Sequence, residues 1–471
     1  MPIDGKPVDM FTEFINGEVS FWYRSIGLPA LRQPLPGDRD ADVCIVGAGF
    51  TGLWTAYYLK QAQPDLRIIV LEREFAGFGA SGRNGGWLSA ELAGKRDAYA
   101  ATHGHDGVVD LMRAMRGAVD EVTAVAKAEG IDADIAKDGV LHVARTRAQL
   151  GRLHESIQYE QDWGAGPQDF VALSRDEMDS RIRVAGAQGG LFSPHCARVQ
   201  PAKLVLGLAR VVEATGVTIF EQTAVSRIEQ GRAVTDRGTV RAPIVLRCLE
   251  GFTASIQGQR RNWLPMNSSM VVTEPLSQEA SDQIGWRRAE LLGDYAHGYM
   301  YAQRTADNRI ALGGRGIPYR YGSRIDDRGA TQEWTITALT ALMHDMFPAT
   351  RPLSIVHAWC GVLGVPRDWT ATVDLDRATG LGTAGGYVGS GLTTTNLAGR
   401  TLADLVLERD TELTRLPWVG RRVRRWEPEP LRWLGVQSMY ALYRTADRRE
   451  TDKNLAKTSR IARVANMITG R

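Results

Sequence analysis

Cysteine is scarce, with four in 471 residues (Cys44, Cys196, Cys248, Cys360). They are widely spaced and form no CxxC pair. This excludes a disulfide framework, a cysteine zinc site and dithiol redox chemistry, and fits a reducing compartment. Long apolar runs are also absent. No stretch approaches the ~20 residues that a membrane-spanning helix requires, and the start MPIDGKPVDMFTEFINGEVSFWY has no apolar signal core. The expectation is a cytoplasmic protein with no membrane partner and no metal centre. Internal repeats and Pro/Ser-rich linkers are missing. Strong net charge is missing too, with 57 basic and 54 acidic residues giving +3. The balance is uneven, however: residues 411–471 hold 14 Lys/Arg and 6 Asp/Glu, or +8, which leaves −5 for the first 410. At 44% hydrophobic and 24% charged, the chain is a folded protein of two or three domains, not a disordered one.

Glycine is what the chain has in excess. There are 50, about 11% against a usual ~7%, with no repeating period. Glycine at that level points to tight turns or to backbone held close to a ligand. Fourteen of them fall in three clusters, 47/49/52, 77/79/82/85/86 and 380/382/385/386/389/391.

The first cluster lies in residues 42–72, DVCIVGAGFTGLWTAYYLKQAQPDLRIIVLE. Val43 to Val46 have the length of a buried parallel strand. Gly47, Gly49 and Gly52 follow as GxGxxG, then a helix with Leu53, Ala56, Tyr57 and Leu59 on one face, then a second strand, Ile68 to Leu71. Gly47 permits the turn, Gly49 lets backbone approach a pyrophosphate, and Gly52 packs helix on strand. Thr51 lies in the helix's first turn, whose N–H groups face the phosphates. Glu72 ends the second strand twenty residues past the last glycine, where it can accept hydrogen bonds from both ribose hydroxyls. Strand, glycines, helix, strand and acid together specify a dinucleotide site.

The second cluster, REFAGFGASGRNGGWLSA (73–90), distinguishes between cofactors. An NAD dehydrogenase needs no such loop after its second strand, whereas the longer FAD lies extended beneath backbone. The string GASGRNGG resembles the FAD-dependent D-amino-acid oxidase superfamily, which includes glycine oxidase, sarcosine oxidase and the γ-glutamylputrescine oxidase type. The resemblance implies an α/β fold: a Rossmann-like FAD-binding domain interleaved with a mostly antiparallel sheet-plus-helix substrate domain. It also implies that Arg73, Ala80, Ser81, Arg83, Asn84, Gly85 and Gly86 join Glu72 along the cofactor. Val225 would then lie near the adenine, and Glu250 and Gly251 close to FAD. A surface salt bridge is the other reading of Arg83.

The third cluster, GLGTAGGYVGSGLTTTNLAGRTLADLVL (380–407), reads as strand, glycine-rich turn and a helix of about a dozen residues. Thr393, Thr394, Thr395 and Asn396 suit its N-terminal cap. In the superfamily this helix start, here Gly391, Leu392, Thr393 and Thr394, points at the N1–C2=O edge of the flavin, where its dipole favours the reduced ring.

Elsewhere, residues 105–130 read as an amphipathic helix, 139–150 as strand then helix, 201–231 as helix, strand, strand, and 263–275 and 299–315 as strands. The expected division is an N-terminal arm (1–37), an FAD-binding domain (38–96, 197–258 and 355–410), a substrate domain (97–196 and 259–354) and a basic C-terminal arm (411–471).

The expected chemistry is oxidation of a C–N bond of an amine or amino acid, with hydride passing to flavin N5, imine release and reoxidation by O2. A GD dipeptide followed by Ala-Ala-His would mark a hydroxylase, but Gly389-Ser390-Gly391-Leu392-Thr393 stands there, and no second nucleotide fingerprint is present. Such chemistry relies on positioning, and no acid or base stands out. Trp87, Trp359, Tyr299 and Tyr301, with Tyr295 nearby, are the pocket candidates. Cys360 falls where sarcosine oxidases attach FAD covalently; a small apolar filler is the other reading. Thr393 replaces the lysine that sarcosine oxidases use for a substrate carboxylate, which favours an amine. Arg304, Arg315 and Arg320 are candidate replacements for that lysine, with a solvated strand-end charge as the other reading of each. The arm's aromatics suggest packing on the body or on another subunit. A nucleic-acid partner, as in tRNA-modifying members, or a dehydrogenase subunit with another electron acceptor is the alternative. The sequence sets no oligomeric state.

Overall fold

Val43, Cys44, Ile45 and Val46 are buried on both faces and form the central strand β1 (Val43–Val46). This is how a strand reads when helices cover both sides of its sheet. The computed structural model describes residues 13–314, 319–325 and 328–469. From β1 the chain turns through Gly47 into α1 (Phe50–Ala62) and returns as β2 (Ile68–Leu71), parallel to β1 with Val43 opposite Ile68. The sheet is completed by distant segments, in the order Thr218–Phe220, β2, β1, Ile244–Arg247, Leu381–Gly385, Thr372–Asp376. Only the last pairing is antiparallel. Parallel neighbours require crossovers, and helices α1, Arg96–Ala128, Pro201–Ala214 and Gly391–Val406 (α2) supply one shared core. Gly399 of α2 lets the helices touch: a Cβ there would lie 2.7 Å from that of Trp54.

The second sheet has nine strands and is mostly antiparallel. It contains β3 (Val140–Ala144), β4 (Leu264–Thr273), β5 (Met300–Arg304) and β6 (Ile355–Val365). β4 and β6 pair along almost their whole length, from Leu264 opposite Val365 to Thr273 opposite Ile355. Helix Glu333–Met346 covers one face, over a core with Leu141, Val143, Val271, Leu312, Met343 and Phe347. The other face looks toward the first sheet. This architecture is the expected one. The arm then runs back over the body: Trp418 and Trp426 are buried, and α3 (Leu431–Asp452) packs alongside the second sheet.

Two local expectations are corrected. The helix expected at 105–130 begins at Arg96, with Gly104 (φ +66°) interrupting it. The last helix spans sixteen residues, and its N-cap is Ser390, so Thr393, Thr394, Thr395 and Asn396 lie inside it rather than capping it. Thr394 and Thr395 donate to the carbonyls of Ser390 and Leu392. Buried hydroxyls in a helix take the preceding turn's carbonyls when no outside acceptor is near.

Candidate active site

Gly47 leaves β1 with φ +107°, and a Cβ there would lie 2.6 Å from the Cys248 carbonyl oxygen. Gly52 is tighter still, since a Cβ would meet the Gly47 carbonyl oxygen at 2.1 Å. These two positions bring the start of α1 against the end of the sheet, where its first-turn amides form an anion cradle. Ser81 closes one side, its Oγ accepting from the Phe50 N–H at 2.9 Å. Glu72 accepts from the N–H groups of Ala48 (3.0 Å) and Glu74 (3.0 Å). Burial raises its carboxyl above the usual range, and those two N–H groups pull it back in part.

A single cavity of about 550 Å³ runs from this cradle to the second sheet. Gly47, Gly49, Thr51, Glu72, Arg73, Ala80, Ser81, Arg83, Asn84, Gly85, Val225, Glu250, Gly391 and Leu392 all line it, so all three glycine clusters meet there. Ser390 makes no side-chain cap, leaving the α2 first-turn amides at Gly391 and Leu392 without one. An elongated cleft with donor-bearing helix starts at two places and an acid at one end fits FAD. The α1 start would hold the pyrophosphate, Glu72 the adenosine ribose and the α2 start the flavin's electron-rich edge.

The other nominated residues stand behind this lining. Gly52 and Gly251 are packing contacts, the latter against Val362. Gly86 (φ +69°) lies against the Gln303 amide and the Val199 carbonyl. Thr393 and Thr394 are buried within α2. Trp359 stacks on Phe21 and donates Nε1–H to the Arg83 carbonyl, so it braces the loop from outside. Cys360 is buried with its Sγ 3.4 Å from the Ala330 carbonyl oxygen, outside the lining. Arg83 is no surface cation: its Nε donates to the Phe78 carbonyl at 2.7 Å, and its guanidinium lies over the Phe78 ring. Arg304 and Arg320 lie outside the lining, bonded to the carbonyls of Arg287 and Ala330. Arg315 lies outside the described residues.

The far end of the cavity is aromatic and acidic. Trp87, Tyr295, Tyr299 and Tyr301 form its walls, with Tyr301 edge-on to Trp87 and bonded through its hydroxyl to Ser268 Oγ at 2.8 Å. Asp294 and Glu91 also line it, and His142 Nε2 lies 3.4 Å from Glu91 Oε1. Asp294 Oδ1 accepts from the N–H groups of Met300 (3.1 Å) and Ala296 (3.3 Å), and Oδ2 accepts from no described residue. Burial pushes this carboxyl up to about 6, against those N–H groups. Arg152 reaches the same lobe, its Nη1 donating to Glu450 (2.8 Å) and its Nε to the Tyr295 carbonyl (2.8 Å), while its buried Nη2 has no described partner.

Sequence reasoning missed Glu91, His142, Arg152 and Asp294. One signal was available for His142. Leu141 and Val143 alternate into the second core, which leaves a polar residue on the opposite face of an otherwise apolar strand.

Known proteins give the same picture. The profile of the FAD dependent oxidoreductase (DAO) family matches residues 42–405. A probable oxidoreductase OrdL of Haemophilus influenzae is 27% identical over 407 residues, covering 84% of this chain and 89% of that one. The gamma-glutamylputrescine oxidoreductase of Escherichia coli is 28% identical over 379 residues, 78% and 83% of the two chains. In fold, the crystal structure of glycine oxidase from Geobacillus kaustophilus superposes with a TM-score of 0.69 at 19% identity, over 82% of this chain and 99% of that one. With the glycine clusters gathered on one cleft and the profile spanning both sheets, the chain belongs to the FAD-dependent oxidoreductases of the DAO family.

Proposed function

We propose that this enzyme oxidises a C–N bond of a small amine rather than of an α-amino acid. The observation that carries this is Asp294, whose Oδ2 is left without a described donor in an aromatic lobe. An α-amino acid needs a cation for its carboxylate. Among the described cations of the lining, Arg73 pairs with Glu74 (3.3 Å) and Arg83 holds the Phe78 carbonyl, while Arg152 is paired with Glu450 through Nη1 and keeps a buried Nη2 without a described partner. An ammonium group is instead attracted by carboxylates and by aromatic faces. The relatives point both ways, since they include the gamma-glutamylputrescine oxidoreductase and also D-amino acid dehydrogenases.

FAD, held by the α1 start, Glu72 and the α2 start, would supply the two-electron acceptor for a hydride from the amine's α-carbon, with O2 as the proposed final acceptor and hydrogen peroxide as the product. The chain's own task is to hold and prepare the amine. Tyr299, Tyr301 and Trp87 confine its apolar part, and Asp294 Oδ2 receives the ammonium. The ammonium must lose a proton before its α-carbon can lose hydride, and a carboxyl pushed up to about 6 is a better base than a surface aspartate. The resulting imine leaves and hydrolyses in water.

The test is anaerobic titration of the holoenzyme with polyamines, N-methyl amines and amino acids. An amine should bleach the flavin, and readmitted air should restore it with one hydrogen peroxide formed per turnover. Bleaching that air fails to reverse would assign a dehydrogenase, and bleaching by amino acids alone would overturn the amine reading.

A further inference from the structure

The arm lies beyond the stretch that matches the family, yet it touches the cavity's substrate end. Residues 294–299 form a loop between strand Leu291–Asp294 and β5, and Asp294, Tyr295, Ala296, His297 and Tyr299 of that loop line the cavity. Within it the Ala296 N–H donates to Asp294 Oδ1, whereas the N–H groups of His297 and Gly298 take their partner from outside the loop. They find it in α3: Asp447 accepts from the N–H groups of His297 (2.9 Å) and Gly298 (2.9 Å) through its two separate oxygens. One turn on, Glu450 Oε1 lies 3.0 Å from His297 Nε2, and Tyr443 stacks on the same imidazole at 5.9 Å. Glu450 Oε2 takes Arg152, whose Nε–H goes back to the Tyr295 carbonyl, and Oε1 also takes the Ser459 N–H at 2.7 Å.

His297, Asp447 and Glu450 lie close enough together to suggest a cation site. A cation is already there: the Arg152 guanidinium lies 2.8 Å from Glu450 and 3.2 Å from His297 Nε2. The cluster therefore joins the arm to the loop rather than awaiting a metal.

We infer that α3 is a positioning element of the active site: Asp447 and Glu450 fix the 294–299 loop and thereby set the affinity for the amine. No residue of the helix lines the cavity. The helix acts by holding Asp294, Tyr295 and Tyr299 at the wall, so a substrate that fills the lobe feels the arm through the loop. The arm supplies this constraint from outside the family-matched region, which makes pocket shape adjustable without change to the FAD site. The inference rests on the amine reading only for the identity of the ligand.

The test compares holoenzyme carrying Asp447→Ala with Asp447→Asn, which keeps an acceptor, and with Glu450→Gln. Hydrogen exchange of the peptide spanning 294–299 is followed together with KM, kcat and flavin content. In Asp447→Ala, exchange at His297 and Gly298 should accelerate and KM should rise about tenfold, the loss of roughly one charged hydrogen bond. Flavin content should stay near wild type and any fall in kcat should be smaller than the rise in KM, the pattern of lost binding more than lost chemistry. Asp447→Asn should recover only part of the KM, because its amide can accept from one of the two N–H groups and not from both. Unchanged exchange would overturn the inference, as would a fall in kcat and flavin content with KM unmoved. If no amine bleaches the wild-type flavin, the proposed function fails on its own, and the exchange rates still decide whether the arm fixes the loop.

Discussion

Glu250 sits at the end of strand Ile244–Arg247 with φ +46°, a left-handed conformation that costs a residue with a Cβ about 1 kcal/mol. It is held there by its carboxylate, which accepts from the N–H groups of Gly386 (2.9 Å) and Tyr387 (3.0 Å) and from that of Gly364. One side chain thus ties the first sheet to β6 and to the glycine turn before α2. Burial pushes its carboxyl up to about 7 from 4.5, against the three N–H groups. The folded chain therefore keeps a proton that the unfolded chain loses between these values, and stability falls as pH rises from 4.5 to about 7. Below 4.5 both states are protonated, and above 7 the full penalty is present. Glu250→Gln removes this dependence. In urea denaturation of the FAD-free protein, the stability of wild type relative to Glu250→Gln should decline across that window and level off above it. A difference independent of pH would show that the carboxylate stays ionised.

At the scale of elements, the 77–86 loop folds around its own polar groups. Asn84 Nδ2 donates to the carbonyls of Ala80 (3.1 Å) and Ser81 (2.8 Å), while its Oδ1 accepts from the Gly86 N–H. Trp22 and Trp359 donate to the carbonyls of Asn84 and Arg83 from outside. Arg83 is the loop's internal strut. Arg83→Met would leave the buried Phe78 carbonyl without its donor and should cost about 2 kcal/mol. A lowered unfolding midpoint and a reduced FAD-to-protein ratio after dilution would check this. A ratio equal to wild type would show that the loop holds its shape without the guanidinium. The contrast with the substrate lobe explains what the sequence made legible. Gly47, Gly49, Gly52 and Glu72 act through backbone geometry within thirty residues, so spacing alone reveals them. His142 and Asp294 come together through strand register, with His142 opposite Gly293 in the second sheet, and Glu91 reaches His142 from a loop distant in sequence. A Cβ on Gly293 would lie 2.7 Å from the imidazole, a fit that nothing in the local sequence announces. The misplaced cap at Thr393–Asn396 has the same origin. Cap preference is a local signal, and the tertiary burial of α2's first turns overrides it.

For the molecule as a whole, the uneven charge and the three-part glycine excess describe two different surfaces. Glycines gather where the two sheets meet over the cofactor cleft. Positive charge gathers on the outside of the arm, where Arg444, Arg448, Arg449, Lys453 and Lys457 are exposed. The aromatics of the arm face inward. Trp418 is fully buried and belongs to the core of the first sheet, its carbonyl accepting from the Val373 N–H at 3.0 Å. Trp426 donates Nε1–H to the Val365 carbonyl at the end of β6. No helix among the described residues is long and apolar enough to cross a membrane. The arm is thus part of the fold on one side and a cationic surface on the other, and the two roles separate by mutation. Deleting residues 411–471 uncovers Trp418's place in the core and Trp426's beside β6. Each buried tryptophan is worth about 3 kcal/mol or more, against a total stability of about 5–15 kcal/mol. The truncated chain should therefore fail to accumulate as folded, FAD-loaded protein. Replacing Arg444, Arg448 and Arg449 together by Gln touches only solvated charge and should move stability by no more than about 1 kcal/mol. Expression yield, flavin absorbance and urea midpoints measured on both variants decide the matter. A soluble, yellow truncation would show that the first sheet closes its core without the arm.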